Sequence, residues 1–540
     1  MKGFPHARLS ILVSTALLSG LCAYLAFAPA SQPALAWVFP MPMVVACYFL
    51  RPLRLWEAAG CGALAGLGFY GPSLFWLTEV SVAGWFAVVL FCTVFLVLWL
   101  PVLACVTGRL PAALNAHSSL LAAFFAACAF TGLEWVRGWI GTGFPWNALG
   151  VSQIEYPVIA QIAELGGIGL ISWLVIFGGT VIALTGLRII QESHARATGP
   201  RPLRPHFELM AVLALIGAAV YFGSGRLTVR SPILGTLQVL AVQPDIPQDP
   251  WGEGMEGAAA LRRCMELTEN ALEGSPPVDL LVWPETPIPG SLDDLPEFQS
   301  FQQRAVPKWA SAFLYGTVLR RGFEIANSAV LVQQDEPYYQ SYDKMHLVMM
   351  GEYVPLAGIF PFLRHWVPLG TDFTAGKEAR NLDLALTWRL APLICFEDSL
   401  PGVARRFLGG NPHAFINITN DGWFGRSWQS WQHLQQARFR CIEFRRPMIR
   451  VANNGVTGWI DERGVLRGVL RDPQTGRVQV SGTMRMQVPL PAIRQTFYAR
   501  WGDWPGWLSL WIVAAAGIRA WIRSPLERRR RDAGQRPARG

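Results

Sequence analysis

Three residue types that can together break and remake an acyl bond occur in order in the second half of this 540-residue chain. Glu285 stands in LLVWPETPIP, Lys344 in YDKMHLVMMGEYVP and Cys395 in APLICFED. A thiol is a poor nucleophile until deprotonated, and a carboxylate base with a cation nearby supplies that activation. Glu285 is suited to take the thiol proton and later to give one to the leaving group. Lys344 is suited to stabilise the oxyanion of a tetrahedral intermediate, and the first product would be a thioester on Cys395. Glu352 and Glu397 could orient Lys344 or assist proton transfer. By residue type alone a blander reading stays open. A Cys ending a strand is more often packing than nucleophile, and single Lys or Glu residues in loops are mostly solvated. His346 and His433 would allow a Cys-His arrangement but read more simply as hydrogen-bonding or packing residues. No close Cys/His spacing suggests a metal site, and no cofactor is called for.

Such residues need a scaffold, and residues 231–497 supply one. Short β-rich runs occur at Leu237–Val242, Leu280–Trp283, Phe313–Val318, Ser328–Val332, Leu393–Cys395, Ala414–Ile418 and Pro447–Ala452. Helical patterns such as Ala258–Leu272 and Trp431–Phe444 are interleaved with them. That alternation predicts an α/β domain with helices covering sheet faces, large enough for its own core. Glu285 and Cys395 then fall at strand ends, where open α/β sheets display reactive groups, and Lys344 falls in a loop.

Residues 1–230 have a different character. The whole chain is 52% hydrophobic and only 15% charged, with 23 Trp and a mean hydropathy of +0.29. Soluble domains carry about a quarter charged residues, so much of this chain does not face water. Apolar segments at 9–28, 33–50, 56–77, 84–106, 117–136, 162–187 and 207–225, with one more at 504–522, are candidate spans. The expected fold is a polytopic bundle of about eight transmembrane helices plus an α/β domain, with residues 498–540 forming the last helix and a basic tail. The first segment also has features of a cleaved signal peptide, but six further spans follow, and an uncleaved helix is the simpler reading.

The net charge of +9 first suggests nucleic acid, yet the basic residues sit beside apolar runs, so no nucleic-acid partner is expected. Lys2, Arg8, Arg51, Arg54, Arg109, Arg188, Arg196, Arg201 and Arg204 fall on one side of the counted spans. The first three loops on the other side hold only Arg137, which sets the first side inward. An odd number of spans then places the α/β domain outside. Arg523, Arg528, Arg529, Arg530, Arg531, Arg536 and Arg539 follow the last span on the inner side, and Trp501, Trp504, Trp507 and Trp521 flank it as an aromatic belt. Six of the nine cysteines lie in apolar segments. Cys264, Cys395 and Cys441 remain, an odd number that leaves at least one unpaired.

The three motifs resemble those of the nitrilase superfamily, and Glu285, Lys344 and Cys395 match its catalytic Glu-Lys-Cys positions in order. Beyond them, VQPDIPQ, YDKMHLVMMGEYVP, INITNDGWFG, HLQQARFRCIEFRRPMIRVANNGVTG and GFPWNALG resemble the apolipoprotein N-acyltransferases over nearly the whole chain. The resemblance implies an αββα sandwich on the outer face of a bacterial inner membrane. It implies ping-pong transfer of an acyl chain from a membrane phospholipid to the N-terminal amine of diacylglyceryl-modified apolipoproteins, by a protein expected to be a monomer. Two departures stand out: Phe396 where members often carry Tyr, and Met349–Met350 where Pro-Phe is common. Trp423 and Phe424, with Trp428 and Trp431, could form an interfacial lid or could be core. Glu134 and Arg137, near an outer boundary, are either a structural pair or functional. The alternatives are a tethered amidase or nitrilase-type hydrolase, in which water resolves the thioester, and a transporter with a non-catalytic binding domain. No internal repeat supports the transporter.

Overall fold

The computed structural model describes residues 5–197, 205–248, 257–286, 290–334, 336, 338–355, 357, 359, 362, 372–385 and 387–534, with side chains between His6 and Ala520. Lys2, Arg201, Arg204, Arg536 and Arg539 of the topology reading lie outside the described residues. So do the side chains of Trp521, Arg523, Arg528, Arg529, Arg530 and Arg531.

In the first 230 residues apolar side chains run on without alternation, and the chain coils into α1 (Pro5–Leu25), α2 (Ala34–Val38), α3 (Met41–Phe49), α4 (Leu55–Ser73), α5 (Val82–Gly108), α6 (Ala116–Arg137), α7 (Pro157–Ala160), α8 (Ala163–Ala197) and α9 (Phe207–Thr228). Five described helices (α1 from His6, α5, α6, α8 and α9) are long and apolar enough to cross a bilayer. The 33–50 segment is the short pair α2–α3 instead, because Pro40 lacks the N–H that a continuous helix would need there. Helix α4 stops at Ser73, just past Pro72, and the chain tightens into a 3₁₀ turn at Phe75–Glu79. Helix α5 shows why this half is a membrane body. Val82, Phe86, Leu90, Val94 and Leu98 recur every four residues and are all exposed, while Val89, Cys92, Leu96, Trp99 and Leu103 on its other face are buried. An apolar stripe that long is costly in water and at home in lipid.

From residue 233 the period changes to two. The strands are β1 (Ile233–Gln243), β2 (Val278–Val282), β3 (Ala310–Arg321), β4 (Glu324–Gln333), β5 (Gln340–Asp343), β6 (Leu382–Leu384), β7 (Trp388–Ile394), β8 (Ala414–Thr419), β9 (Met448–Ala452), β10 (Gly458–Ile460), β11 (Leu466–Val469) and β12 (Gly482–Pro491). They form two six-stranded sheets, β12-β1-β2-β3-β4-β5 and β11-β10-β9-β8-β7-β6. The pairs β1–β2, β2–β3, β7–β8 and β8–β9 are parallel, and their reactive ends emerge on one edge of each sheet.

Alternation divides each strand between two cores. Leu237, Val239 and Ala241 of β1 join Leu393, Ile416 and Val451 between the sheets. Leu240 and Val242 instead pack outward with Trp283 and Phe313 under α10 (Gly257–Leu272) and α11 (Pro296–Trp309). The other outer face is covered by α12 (Pro401–Arg406) and α13 (Gln429–Phe444), giving the layered αββα arrangement. The chain closes with α14 (Phe497–Trp501) and α15 (Trp504–Gly534), which packs along α6.

Helix α13 joins the two halves. Leu434, Ala437, Cys441 and Phe444 face the sheet, while Phe439 and Ile442 belong to the core of the apolar bundle. Gln432 is 2% exposed and has its amide fully used. Its oxygen accepts from the indole N–H of Trp76 (3.1 Å) and Trp146 (2.9 Å), and its nitrogen donates to the carbonyls of Ala28 (2.9 Å) and Ser73 (3.2 Å). At the helix end Arg445 donates to Glu164 (2.7 Å) and Gln161 (2.7 Å) of the bundle.

Candidate active site

The chain brings Glu285, Lys344, Glu352 and Cys395 together from four separate segments. Glu285 lies three residues beyond β2. Gly316 of β3 lets that turn lie flat, since a Cβ there would meet the Pro284 carbonyl oxygen at 2.6 Å and the Glu285 Cα at 2.7 Å. Lys344 follows β5 directly, its N–H donating to the Asn327 carbonyl (2.8 Å) and its own carbonyl accepting from Gly376 N–H (2.8 Å). Its side chain is buried, and Nζ donates to Glu285 Oε1 (3.2 Å) and Glu352 Oε1 (3.0 Å). Asn327 Nδ2 donates to the same two oxygens at 2.8 Å each. Glu352 is fixed from its other oxygen by Val348 N–H (2.8 Å). One ammonium and one amide therefore hold two carboxylates in a single buried cluster.

Burial alone would push the Lys344 ammonium down. The carboxylates of Glu285 and Glu352 overrule it and hold the group well above an ordinary lysine, so it stays charged. Cys395 begins the 3₁₀ turn Cys395–Ser399 that follows β7, not the strand end itself, and has φ +53°. Few non-glycine residues take that left-handed conformation, and it turns the residue out of the strand direction. Burial, then the charge of Glu285, pushes the thiol up, and Lys344 opposes them. At rest the group is a thiol that needs a base, and Glu285 is the carboxylate that both Lys344 and Cys395 feel.

The family follows from comparison with known proteins. Residues 19–181 match the apolipoprotein N-acyltransferase N-terminal domain, and residues 241–484 match carbon-nitrogen hydrolase. Apolipoprotein N-acyltransferase of Geobacter metallireducens is 31% identical over 518 residues, covering 93% of each chain. The chain belongs to the apolipoprotein N-acyltransferase family. The protein of that name from Brucella melitensis is also 31% identical, covering 93% of this chain and 92% of its own. A solved CN-hydrolase superfamily protein of Xanthomonas campestris is 18% identical, with a TM-score of 0.35, and covers 47% of this chain and 91% of its own.

Glu397, expected to orient Lys344 or assist proton transfer, and Glu134 with Arg137, expected as a structural pair or a functional one, have other partners. Glu397 makes no bond to Lys344. It accepts from the N–H groups of Ile394 (2.9 Å), Met345 (2.8 Å) and His346 (3.0 Å) and from the Tyr342 hydroxyl (2.8 Å). It thus ties the Cys395 turn to the segment after Lys344, and burial raises its carboxyl to about 7. Glu134 and Arg137 bond the 144–149 loop and not each other. Glu134 accepts from Leu149 N–H (2.7 Å), and Arg137 donates to the carbonyls of Trp146 (2.8 Å) and Phe144 (3.2 Å). That loop matters because Trp146 and Phe144 stack on Phe396, with ring centroids 6.0 and 6.1 Å away. The membrane half therefore packs against the residue next to Cys395.

The four aromatic candidates divide. Trp423 and Trp428 are exposed. Phe424 packs on Trp76 at 4.7 Å, and Trp431 lies under the Arg471 guanidinium. His433 is buried with Nε2 against Asp398 (2.8 Å) and Nδ1 against Asp421 (2.9 Å), a structural role. Arg450 closes the network by pairing with both aspartates. Burial works against the imidazolium, but Asp398 prevails and raises the group to about 9.

Sequence reasoning missed Asn327, Tyr342 and Asp421. Adjacent Asn327 and Ser328 in an otherwise apolar strand were the available signal for the first.

Proposed function

We propose that this chain moves an acyl chain from a membrane phospholipid, through a thioester on Cys395, to the N-terminal amine of a diacylglyceryl-cysteine on lipoproteins. The buried Glu285–Lys344–Glu352 cluster beside Cys395, placed at the seam between the α/β domain and the apolar helices, carries this reading. Glu285 takes the thiol proton, and the sulfur attacks the ester carbonyl. The Lys344 ammonium stabilises the oxyanion, and Glu285 returns the proton to the departing lysophospholipid oxygen. The lipoprotein amine then attacks the thioester, its proton passing by Glu285 to the leaving sulfur. Glu352 holds Lys344 in line, and Phe396 with Trp146 walls the nucleophile. Exposed Trp423 suits the lipid portal.

Location fits the chemistry. Each buried CH₂ contributes about 0.8 kcal/mol to keeping a lipid in the bilayer, so a pocket at the interface avoids full extraction. In this reading residues 1–230 form the membrane domain, 231–497 the catalytic domain and 498–540 the last span and inner tail. The distribution of basic residues supports a catalytic domain on the outer, periplasmic side of a bacterial inner membrane. The test is mass spectrometry of a lipoprotein N-terminus after incubation with phospholipid. An added acyl chain is expected with the native protein and none with Cys395→Ala. Free fatty acid without amine acylation would mark a hydrolase, and acylation by the Ala variant would remove Cys395 from the mechanism.

A further inference from the structure

Strand β8 runs parallel to β7 with Ile418 opposite Ile394, so the next residue on each strand, Thr419 and Cys395, leave the sheet side by side. Asn417 of β8 reinforces that pairing, its Nδ2 donating to the carbonyls of Leu393 (3.1 Å) and Cys395 (3.2 Å). Thr419 is completely buried, the register sets it beside the Cys395 turn, and its hydroxyl lowers the thiol's hold on its proton. Its other neighbour is Asp421 Oδ1, at a long 3.5 Å. Asp421 does not depend on that bond. His433 (2.9 Å) and Gln429 (3.3 Å) reach the same oxygen, and Arg450 (3.2 Å) reaches the other. The hydroxyl can therefore leave the carboxylate without orphaning it.

We propose that Thr419 is a further catalytic residue, its hydroxyl swinging from Asp421 to the Cys395 sulfur as the thiolate forms. The step balances: the S–H proton goes to Glu285, the Thr419 O–H bond stays intact, and only its acceptor changes. Among the described residues, Glu285, Lys344 and Asp421 act on the thiol by charge, and the two carboxylates oppose a thiolate. A neutral donor there lowers the cost of the anion without adding a charge that must be desolvated.

The inference rests on Cys395 being the nucleophile, so its test reads the thiol without any lipid. The rate of Cys395 alkylation by iodoacetamide is followed against pH on the full-length protein in detergent, by mass of the Cys395 peptide. Thr419→Val keeps the shape and removes the donor. It should move the profile up by about one pH unit or more, a roughly tenfold slower reaction at fixed pH. Acyl transfer should show a similar fall in kcat with KM little changed, and Thr419→Ser should restore both. Thr419→Ala is the second hydroxyl-free variant should Val pack poorly, and it should shift the profile equally. An unmoved profile in the hydroxyl-free variants, or no rescue by Ser, overturns the proposal. A shifted profile in a protein whose native form transfers no acyl group would instead count against the acyl-transfer reading alone.

Discussion

Replacing Lys344 by Met takes the ammonium out of the cluster that joins Glu285 and Glu352 while keeping the length of the side chain. Nζ lies 3.2 and 3.0 Å from the two carboxylates and is almost fully buried. At an effective dielectric of about 20, each contact at that distance corresponds to about 5–6 kcal/mol of Coulomb attraction. Desolvation offsets much of this, and breaking a buried pair from one side typically costs about 3–5 kcal/mol. Asn327 still donates to both carboxylates after the change, so the lower end of that range is expected. Adding Glu352→Gln removes one stranded charge and leaves Glu285 with Asn327. The double variant should therefore regain about 2 kcal/mol relative to Lys344→Met, a coupling typical of contacting buried groups. The assay is urea unfolding of the full-length protein in detergent, followed by circular dichroism. Both variants should lack acyl transfer, since neither has the ammonium. A Lys344→Met protein as stable as the native one would refute the charge argument, as would a second substitution that only adds further loss.

Stability should also depend on His433. Its folded value, about 9, lies above the ordinary 6.5, so its contribution is complete below about pH 6.5 and is lost as pH rises through 9. The native protein should lose up to about 3 kcal/mol over that window, and His433→Asn should flatten the loss; equal slopes in denaturation at pH 6.5 and 9.5 would exclude it. Trp423→Ala should leave the unfolding midpoint within about 0.5 kcal/mol while raising KM for the lipid donor several-fold. An unchanged KM would take Trp423 out of the portal.

The candidate site was legible in the sequence because its members sit in marked settings: Pro284 stops a strand before Glu285, and an apolar run ends at Cys395. What surrounds them was not. The left-handed backbone of Cys395 leaves no trace in residue type, and the partnership of Thr419 with Cys395 exists only once β7 and β8 are in register. Strands β6, at one sheet edge, and β10, one strand in from the other, have three residues each, too few for alternation to show. Helix α13 misleads more actively. QSWQHLQQAR looks like a solvated helix face, yet Gln429, Gln432, Gln435 and Gln436 are all buried, because sheet and bundle press on the helix from both sides. The break at Pro40, by contrast, was visible in the residues.

The last helix bears on how the molecule can be made. Gly132 of α6 leaves room for the backbone of α15, where a Cβ would meet Leu510 at 2.9 Å, and one on Gly506 would lie closer still to Trp135, at 2.4 Å. Trp135 lies between Glu134 and Arg137, the residues that hold the 144–149 loop, and through Trp146 that loop reaches Phe396. A nascent chain with residues up to 490 outside the ribosome already contains every member of the candidate site, yet the groove on α6 is still empty. The support behind the 144–149 loop is then complete only once α15 docks. The same packing argues against expressing the α/β domain on its own as a soluble reagent, since the exposed surface of α13 and Phe396 would be left without the wall they were shaped against.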